Sequence, residues 1–549
     1  MKLTMTIFTA AALALSALST ACRCAPAERG AALRVIPAPA SIERCEGEFT
    51  ISPSAVIIAP EEAGAASLRL SSLLSKTEEG PASVAPAGTP CPSDSSCFVL
   101  ELDPSLAQAG PESYELSVSP EGVELRAPAP AGLFYAAQTL RQMMPAEPGL
   151  AASLPCVKIS DAPRFRWRGL MLDVSRHFFP KEFVFRMMET MAALKMNTLH
   201  IHLTDDQGWR LEIDAFPALT KTGAWRGASS PADELSMSPS GPAHGGFYTK
   251  QDMREILRRA AELHITVVPE IEMPGHAVAA IASVPGLSCK GERLKVSTRW
   301  GVHKDVYCAG SERVFEFLEI VLGEVAELFP GEIIHVGGDE VPKHNWRQCP
   351  KCQERIRAEG LANEEELQGW FMKRIENFLE SRGKRIIGWD EIVEGGLPPR
   401  AAVMSWRGME GGITAALEGH DVVMSPTSHC YFDYMQAENG EPRRVGRPIE
   451  LAKVYGFEPV PPALAGTPAA ERIIGAQGNI WTEYIDSEEL AEYMTWPRGA
   501  ALAEVAWSTK ETKDYAGFLA RLESLLPHFD AMRVNYRRPG PEDGANARF

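Results

Sequence analysis

From about residue 165 onward, short apolar runs alternate with amphipathic stretches. The runs are Gly169 to Val174, Asn197 to Leu203, Ile265 to Glu270, Glu332 to Gly337, Arg385 to Trp389, Ala402 to Trp406, Asp421 to Ser425 and Ile473 to Gln477. Each is short, apolar and bounded by polar or turn residues, which reads as a buried strand. Between them lie helical patterns. The clearest is Ser311 to Phe329, where Val314, Phe317, Leu318, Val321, Leu322, Val325 and Leu328 share one face and Ser311 can cap the start. Eight such β/α repeats predict an α/β fold, a (β/α)8 TIM barrel over residues 161–510, with a C-terminal helical tail over 511–549 packing on the barrel. Gly227 to Gly246, rich in Ser, Pro and Gly, reads as a long insertion.

The texture before residue 160 differs. Val56-Ile57-Ile58, Phe98-Val99-Leu100, Tyr114 to Val118 and Val123 to Leu125 are strand-like and separated by Gly, Pro and Ser. Ala131 to Met144 then carries a helical pattern, with Leu133, Ala136, Ala137, Leu140 and Met144 on one side. Residues 31–160 therefore read as a smaller α+β domain, with no acid–base constellation of their own.

A chain of 549 residues suits two domains, one of them large. The formal net charge of −17 argues against nucleic acid and against anionic lipid as partners. Lys2, the apolar run Ile7 to Leu18 and the small residues Ser19, Thr20 and Ala21 read as an export signal over residues 1–21. Cys22 after Thr20-Ala21 is a candidate lipid-anchor site, so a periplasmic, a freely secreted and a membrane-anchored lipoprotein all stay open. There are 11 cysteines, which an exported chain can oxidise. Cys289 and Cys308 bracket one long loop and are the leading disulfide candidates, while Cys91 and Cys97 can close a small loop. Cys349-Pro-Lys-Cys352 resembles half a zinc site, but two more ligands are needed and only His344 is close in sequence. A local staple or two free thiols is the expected state.

In such barrels the active site lies at the C-terminal ends of the strands. Here Asp173, Asp205, Glu272, Asp339, Glu340, Trp389, Trp406 and Trp481 stand at or just after the ends of apolar runs. Tryptophan usually serves core packing. Repeated carboxylates and indoles at strand ends instead suit a sugar site, where aromatic faces stack on C–H surfaces and carboxylates bind hydroxyls. The densest motif is His335-Val336-Gly337-Gly338-Asp339-Glu340. Two adjacent carboxyl groups crowd negative charge, which favours retention of one proton near neutral pH.

That motif resembles the signature of glycoside hydrolase family 20. So do Arg168 to Phe178, His200 to Trp209, Pro269 to His276, Gly388-Trp389, Tyr431-Phe432-Asp433 and Gly478 to Glu483, in the family's order. Pro111 to Met144 resembles the end of the family's N-terminal domain, and Asn535-Tyr536-Arg537 its usual finish. The resemblance implies an exo-acting, retaining β-N-acetylhexosaminidase. Its substrates would be terminal β-linked GlcNAc or GalNAc on glycoprotein, mucin, chitooligosaccharide or glycolipid glycans. The substrate's own acetamido group would be the nucleophile, an exception to the two-carboxylate scheme. Glu340 would be the general acid, Asp339 would orient the acetamido N–H, and Tyr431 would bind its carbonyl. Trp389, Trp406 and Trp481 would wall the acetyl methyl. Arg168 and Glu483 would hold the 3- and 4-hydroxyls, Asp433 the 6-hydroxyl, and Asp205 with His276 would tune Glu340. No metal or cofactor is required by this chemistry. Asp173, Glu272 and His335 are assigned no role.

Two rivals remain at this point. A barrel glycosidase with separated carboxylates would not need the Asp339-Glu340 adjacency or Tyr431. A non-catalytic glycan-binding protein on a decayed barrel should have lost the acid or its partner, yet all are present.

Overall fold

The computed structural model describes residues 24–26, 33–52, 54–75, 82–146, 153–227, 243–442 and 445–544. The export segment with Cys22, and 228–242 of the Gly227 to Gly246 insertion, lie outside the described residues. Two compact units divide the chain. Among the described residues, one takes in Cys24–Pro26, Leu33 and Pro39–Asp161; the other joins Arg34–Ala38 to Ala162 and the residues after it.

In the second unit, eight parallel strands close into a barrel. They are β1 (Trp167–Asp173), β2 (Thr198–His202), β3 (Thr266–Glu270), β4 (Ile333–His335), β5 (Arg385–Trp389), β6 (Ala402–Ser405), β7 (Val422–Met424) and β8 (Ile473–Ile480), with β8 pairing back to β1. Strands covered by helices outside and side chains inside are buried on both faces, which is why they read as near-continuous apolar runs. β1, β2, β6, β7 and β8 are buried at every position.

Side-chain alternation then decides what fills the barrel. In β2 the residues His200 and His202 are fully buried and engage Glu270 of β3, and His200 also meets Gln477 of β8 on the other side of β1. Register sets Asp173 beside His202, His202 beside Glu270 and Glu270 beside His335. Polar groups from four neighbouring strands thus meet at one level, directly beneath the loops that follow the strand ends.

The helix Glu312–Leu328 buries the face read from its sequence. Ser311 is extended at its N-cap, but its side chain makes no capping bond. The tail forms a helix, Tyr515–Ala531, whose Phe518 and Phe529 pack against Tyr455 and Trp496 of the same unit.

The first unit carries an eight-stranded mixed sheet. Its spatial order is Cys24–Pro26, Ser41–Thr50, Ser153–Asp161, Tyr114–Ser119, Gly122–Ala127, Ser96–Leu102, Ala55–Ala59 and Ser83–Pro86. Helices Gly64–Leu74 and Pro130–Met143 pack against each other and on the sheet.

Cys91 and Cys97 are disulfide-bonded. Cys289 and Cys308, expected as a disulfide, are instead free thiols. They meet Cys349 and Cys352, which were expected as an isolated pair, in one four-sulfur cluster.

Candidate active site

β4 ends at His335, and the chain turns through Gly337 and Gly338 at φ 64° and 102°. Gly337 is required for space as well as for angle: a Cβ there would lie 1.8 Å from Glu272 Oε2. The turn delivers Asp339 and Glu340 above the barrel mouth. Glu340 itself sits at φ 48° and His276 at φ 45°. Positive φ on a non-glycine residue costs on the order of 1–3 kcal/mol and concentrates at functional sites.

His276 joins the two carboxyls. Its Nε2 lies 3.5 Å from Asp339 Oδ2 and 3.5 Å from Glu340 Oε2. Its Nδ1 lies 3.3 Å from Asp205 Oδ1 and 3.2 Å from Asp206 Oδ2. Asp205 is held in turn by His202 Nε2 at 2.9 Å and by the Arg176 guanidinium at 2.7 Å. Burial alone would lower the His276 imidazole, but Asp205 and Asp339 outweigh it and hold it well above its ordinary range. A cation therefore stands between the carboxylates.

Its effect on them is unequal. The hydrogen bond from His276, more than any other cause, pulls Glu340 below the usual carboxylate range. Burial pushes Asp339 up despite His276. Beneath it Glu272 is pushed well up, by burial and then by the Asp339 charge. Both Glu272 oxygens lack a conventional donor, as does Asp339 Oδ1. Burial thus favours the protonated form at Asp339 and Glu272, while His276 favours the ionised form of Glu340.

A pocket of about 230 Å³ opens beside this group. Asp339, Glu340, His276, Trp389, Trp406, Tyr431, Asp433, Trp481 and Glu483 line it, together with Arg176, Tyr434, Val445 and Tyr484. Tyr431 stacks on Trp406 with centroids 6.1 Å apart, and Trp389 lies 5.7 Å from Trp481. Trp389 ends β5 and is almost fully buried, so it belongs to the barrel core and to the pocket wall at once. Its Nε1 donates to Glu270 Oε1 at 2.8 Å. Trp406 Nε1 donates to Glu391 Oε2 at 2.9 Å. Asp433 is pushed well up by burial and then by Glu483, and Glu483 is raised by burial against the pull of Arg176.

One assignment is corrected. Arg168 is the second residue of β1 and so lies at the opposite end of the barrel. Its guanidinium donates to the carbonyls of Lys195 and Phe165, at 2.8 and 2.9 Å, and lies over the Trp507 ring. Strand direction decides this: only residues beyond Asp173 reach the C-terminal mouth. Arg176, later in the same motif, does so and contacts Glu483 Oε1 at 3.7 Å. Glu270, Glu391, Tyr434, Val445 and Tyr484 were not anticipated. Glu270 was legible in principle, as a carboxylate closing an apolar strand. Tyr434, Val445 and Tyr484 come from loops whose path no local pattern encodes.

Comparison with known proteins identifies the family of both units. Residues 165–510 match the glycosyl hydrolase family 20 catalytic domain, and residues 32–162 match domain 2 of the same family. The chain is 44% identical over 441 residues to a beta-hexosaminidase of Porphyromonas gingivalis, covering 78% of this chain and 55% of that one. It therefore spans little more than half the length of that relative. It is 36% identical over 492 residues to a beta-hexosaminidase of Vibrio furnissii, covering 88% and 78%. A crystal structure of an exo beta-N-acetylglucosaminidase from Vibrio harveyi, in complex with N-acetylglucosamine, superposes with a TM-score of 0.82 at 33% identity, covering 94% and 80%. With nearly two thirds of its length matching the catalytic domain and relatives this similar, the chain belongs to glycosyl hydrolase family 20.

Proposed function

We propose that the chain is an exo-acting, retaining β-N-acetylhexosaminidase that removes terminal GlcNAc or GalNAc with the acetamido group as nucleophile. One observation carries the reading: Asp339 and Glu340 flank a single imidazole, His276, beside a pocket walled by three indoles and Tyr431. Adjacent carboxyls from one turn cannot flank a sugar ring from opposite faces, so this pair does not fit the two-carboxylate scheme.

In this reading the acetamido carbonyl oxygen attacks the anomeric carbon, closing an oxazolinium ring. The bond to the leaving oxygen breaks, and the Glu340 carboxyl gives that oxygen its proton. Asp339 accepts a hydrogen bond from the acetamido N–H and offsets the positive charge of the ring. The Tyr431 hydroxyl donates to the acetamido oxygen. Glu340, now a carboxylate, takes a proton from water as water opens the ring, and the configuration is retained. Glu340 has a side chain 40% exposed in the free molecule. A bound sugar strips that water and raises its pKa, which loads the acid for the first step. Arg176, Asp433 and Glu483 take the ring hydroxyls and close the far side, which suits attack at a chain end.

The decisive assay compares an aryl β-GlcNAc with the matching aryl β-glucoside. Activity on the first alone is expected; comparable activity on both would contradict acetamido participation. The decayed, non-catalytic alternative has no support from the comparisons. Export is likewise our reading, supported by Lys2 and the Ile7 to Leu18 run, with Cys22 as lipid acceptor. Metabolic labelling with a radioactive fatty acid should mark the chain, and Cys22→Ser should abolish the label; an unlabelled parent chain would refute the anchor.

A further inference from the structure

The cluster of Cys289, Cys308, Cys349 and Cys352 lies outside the sugar pocket and has no part in the chemistry above. We propose that it is a structural zinc site, closed by four thiolates. Its sulfurs all lie within 4.8 Å of one another. The Cys289–Cys352 separation is 3.8 Å, and Cys308 is 3.7 Å from both Cys349 and Cys352. A tetrahedron with Zn–S bonds of about 2.3 Å has edges of about 3.8 Å. The distances are thus those of four ligands around one ion, and too long for any S–S bond, which needs about 2.05 Å.

The backbone is arranged to match. Cys349 and Cys352 form a C-x-x-C at the first turn of the helix Pro350–Glu359, with Cys349 as its N-cap. Helix N-terminal N–H groups favour thiolate over thiol. Cys308 approaches from the other side in Cys308-Ala309-Gly310. A Cβ on Gly310 would lie 2.2 Å from the Lys351 carbonyl carbon and 2.4 Å from Cys352 N, so glycine alone allows the two segments this close. Cys308 N donates to Leu287 O at 2.8 Å, and Ser288 pairs with Tyr307, which brings Cys289 alongside. Cys308, Cys349 and Cys352 are buried and Cys289 is partly so.

The ligands come from two connections. Cys289 and Cys308 belong to the segment between β3 and the helix Glu312–Leu328, the segment that also carries His276. Cys349 and Cys352 belong to the segment after β4, which carries Asp339 and Glu340. The same two segments are tied by Trp346 Nε1 donating to Tyr307 O at 2.8 Å, and Tyr307 N donates to Pro274 O at 2.9 Å. The ion fastens the loop holding His276 to the loop holding the two carboxyls it bridges. Four protein ligands leave no open position for substrate or water, so its role is positional. On binding, the four thiols lose their protons to solvent.

The test uses the full chain, purified without chelator from zinc-supplemented cells. One zinc per chain is expected by elemental analysis. A mercurial that titrates thiols should release it, and cobalt(II) reconstitution should give the intense visible bands of tetrahedral thiolate coordination. The double variant Cys349→Ser, Cys352→Ser should lose the metal, while Cys156→Ser, outside the cluster, keeps it. Because the double variant can misfold, the unmodified chain decides. Absence of zinc, with peptide mapping that finds these four cysteines paired as two disulfides, would overturn the proposal. So would stoichiometric iron in place of zinc, or zinc that survives in a folded double variant.

Discussion

At the residue scale, one imidazole contacts both carboxyls of the motif but decides the ionisation of only one. His276 is held as a cation and draws Glu340 below the ordinary range, while burial raises Asp339. The acid is therefore ionised in the free molecule and must gain its proton as substrate enters. The basic limb of kcat should then lie at higher pH than the basic limb of kcat/KM, since the two report the bound and free forms respectively. Coincident limbs would refute substrate-induced loading of Glu340. Asp339→Asn should weaken a thiazoline inhibitor, which mimics the cyclised acetamido group, about tenfold to a hundredfold. That matches the ~1.5–3 kcal/mol of a hydrogen bond to a charged group. Unaltered affinity would remove Asp339 from the acetamido site. The sequence exposed these residues because each sits in a long motif at a strand end. It misled at Arg168, since a motif beginning inside a strand says nothing about which end of the barrel its first arginine occupies; Arg176, three residues past Asp173, is the one at the mouth.

At the element scale, the turn after β4 is the most constrained piece of backbone. Gly337 is left-handed and leaves no room for a Cβ above Glu272. Gly337→Ala should cost at least the ~1–3 kcal/mol of an unfavourable φ and displace Glu272 from Asp339. A lower denaturation midpoint and a lower kcat are expected together; a variant matching the parent in both would show the turn to be unconstrained. Barrel strands were legible because burial on both faces leaves continuous apolar runs, and β5 has the bounds read from sequence. Ser41–Thr50 was not, because only Phe49 of its ten residues is buried and its polar side chains carry no alternation. The helix Gly64–Leu74 was also missed: its buried face mixes Ala66, Ser67, Leu70 and Ser71 while Leu68 is exposed, so its leucines mark no single face. The four-cysteine cluster illustrates the same limit. Half of it was visible as Cys349-Pro-Lys-Cys352, but its other half lies more than 40 residues upstream and is joined only by the fold.

At the scale of the whole molecule, the net charge of −17 has no part in the proposed recognition of a neutral substrate. In the proposed function the pocket takes a neutral sugar through aromatic faces and hydrogen bonds. Raising ionic strength from ~0.01 M to ~0.15 M shortens the Debye length from roughly 30 Å to 8 Å, yet kcat/KM for a neutral aryl glycoside should stay flat. A steep salt dependence would mean that long-range charge takes part in capture. The division into a small sheet unit and a barrel was legible from the change of pattern near residue 160, because alternating strands and helices leave a different texture from clustered strands.

In the proposed reaction the substrate's acetamido oxygen is the nucleophile. The most direct test of this step is the rate of hydrolysis of aryl β-glycosides whose acetyl group carries zero, one, two or three fluorines. Fluorine drains electron density from that oxygen while scarcely changing its position. The account predicts kcat/KM falling steeply and monotonically across the series. A flat series would contradict it and return the search to a nucleophile on the protein.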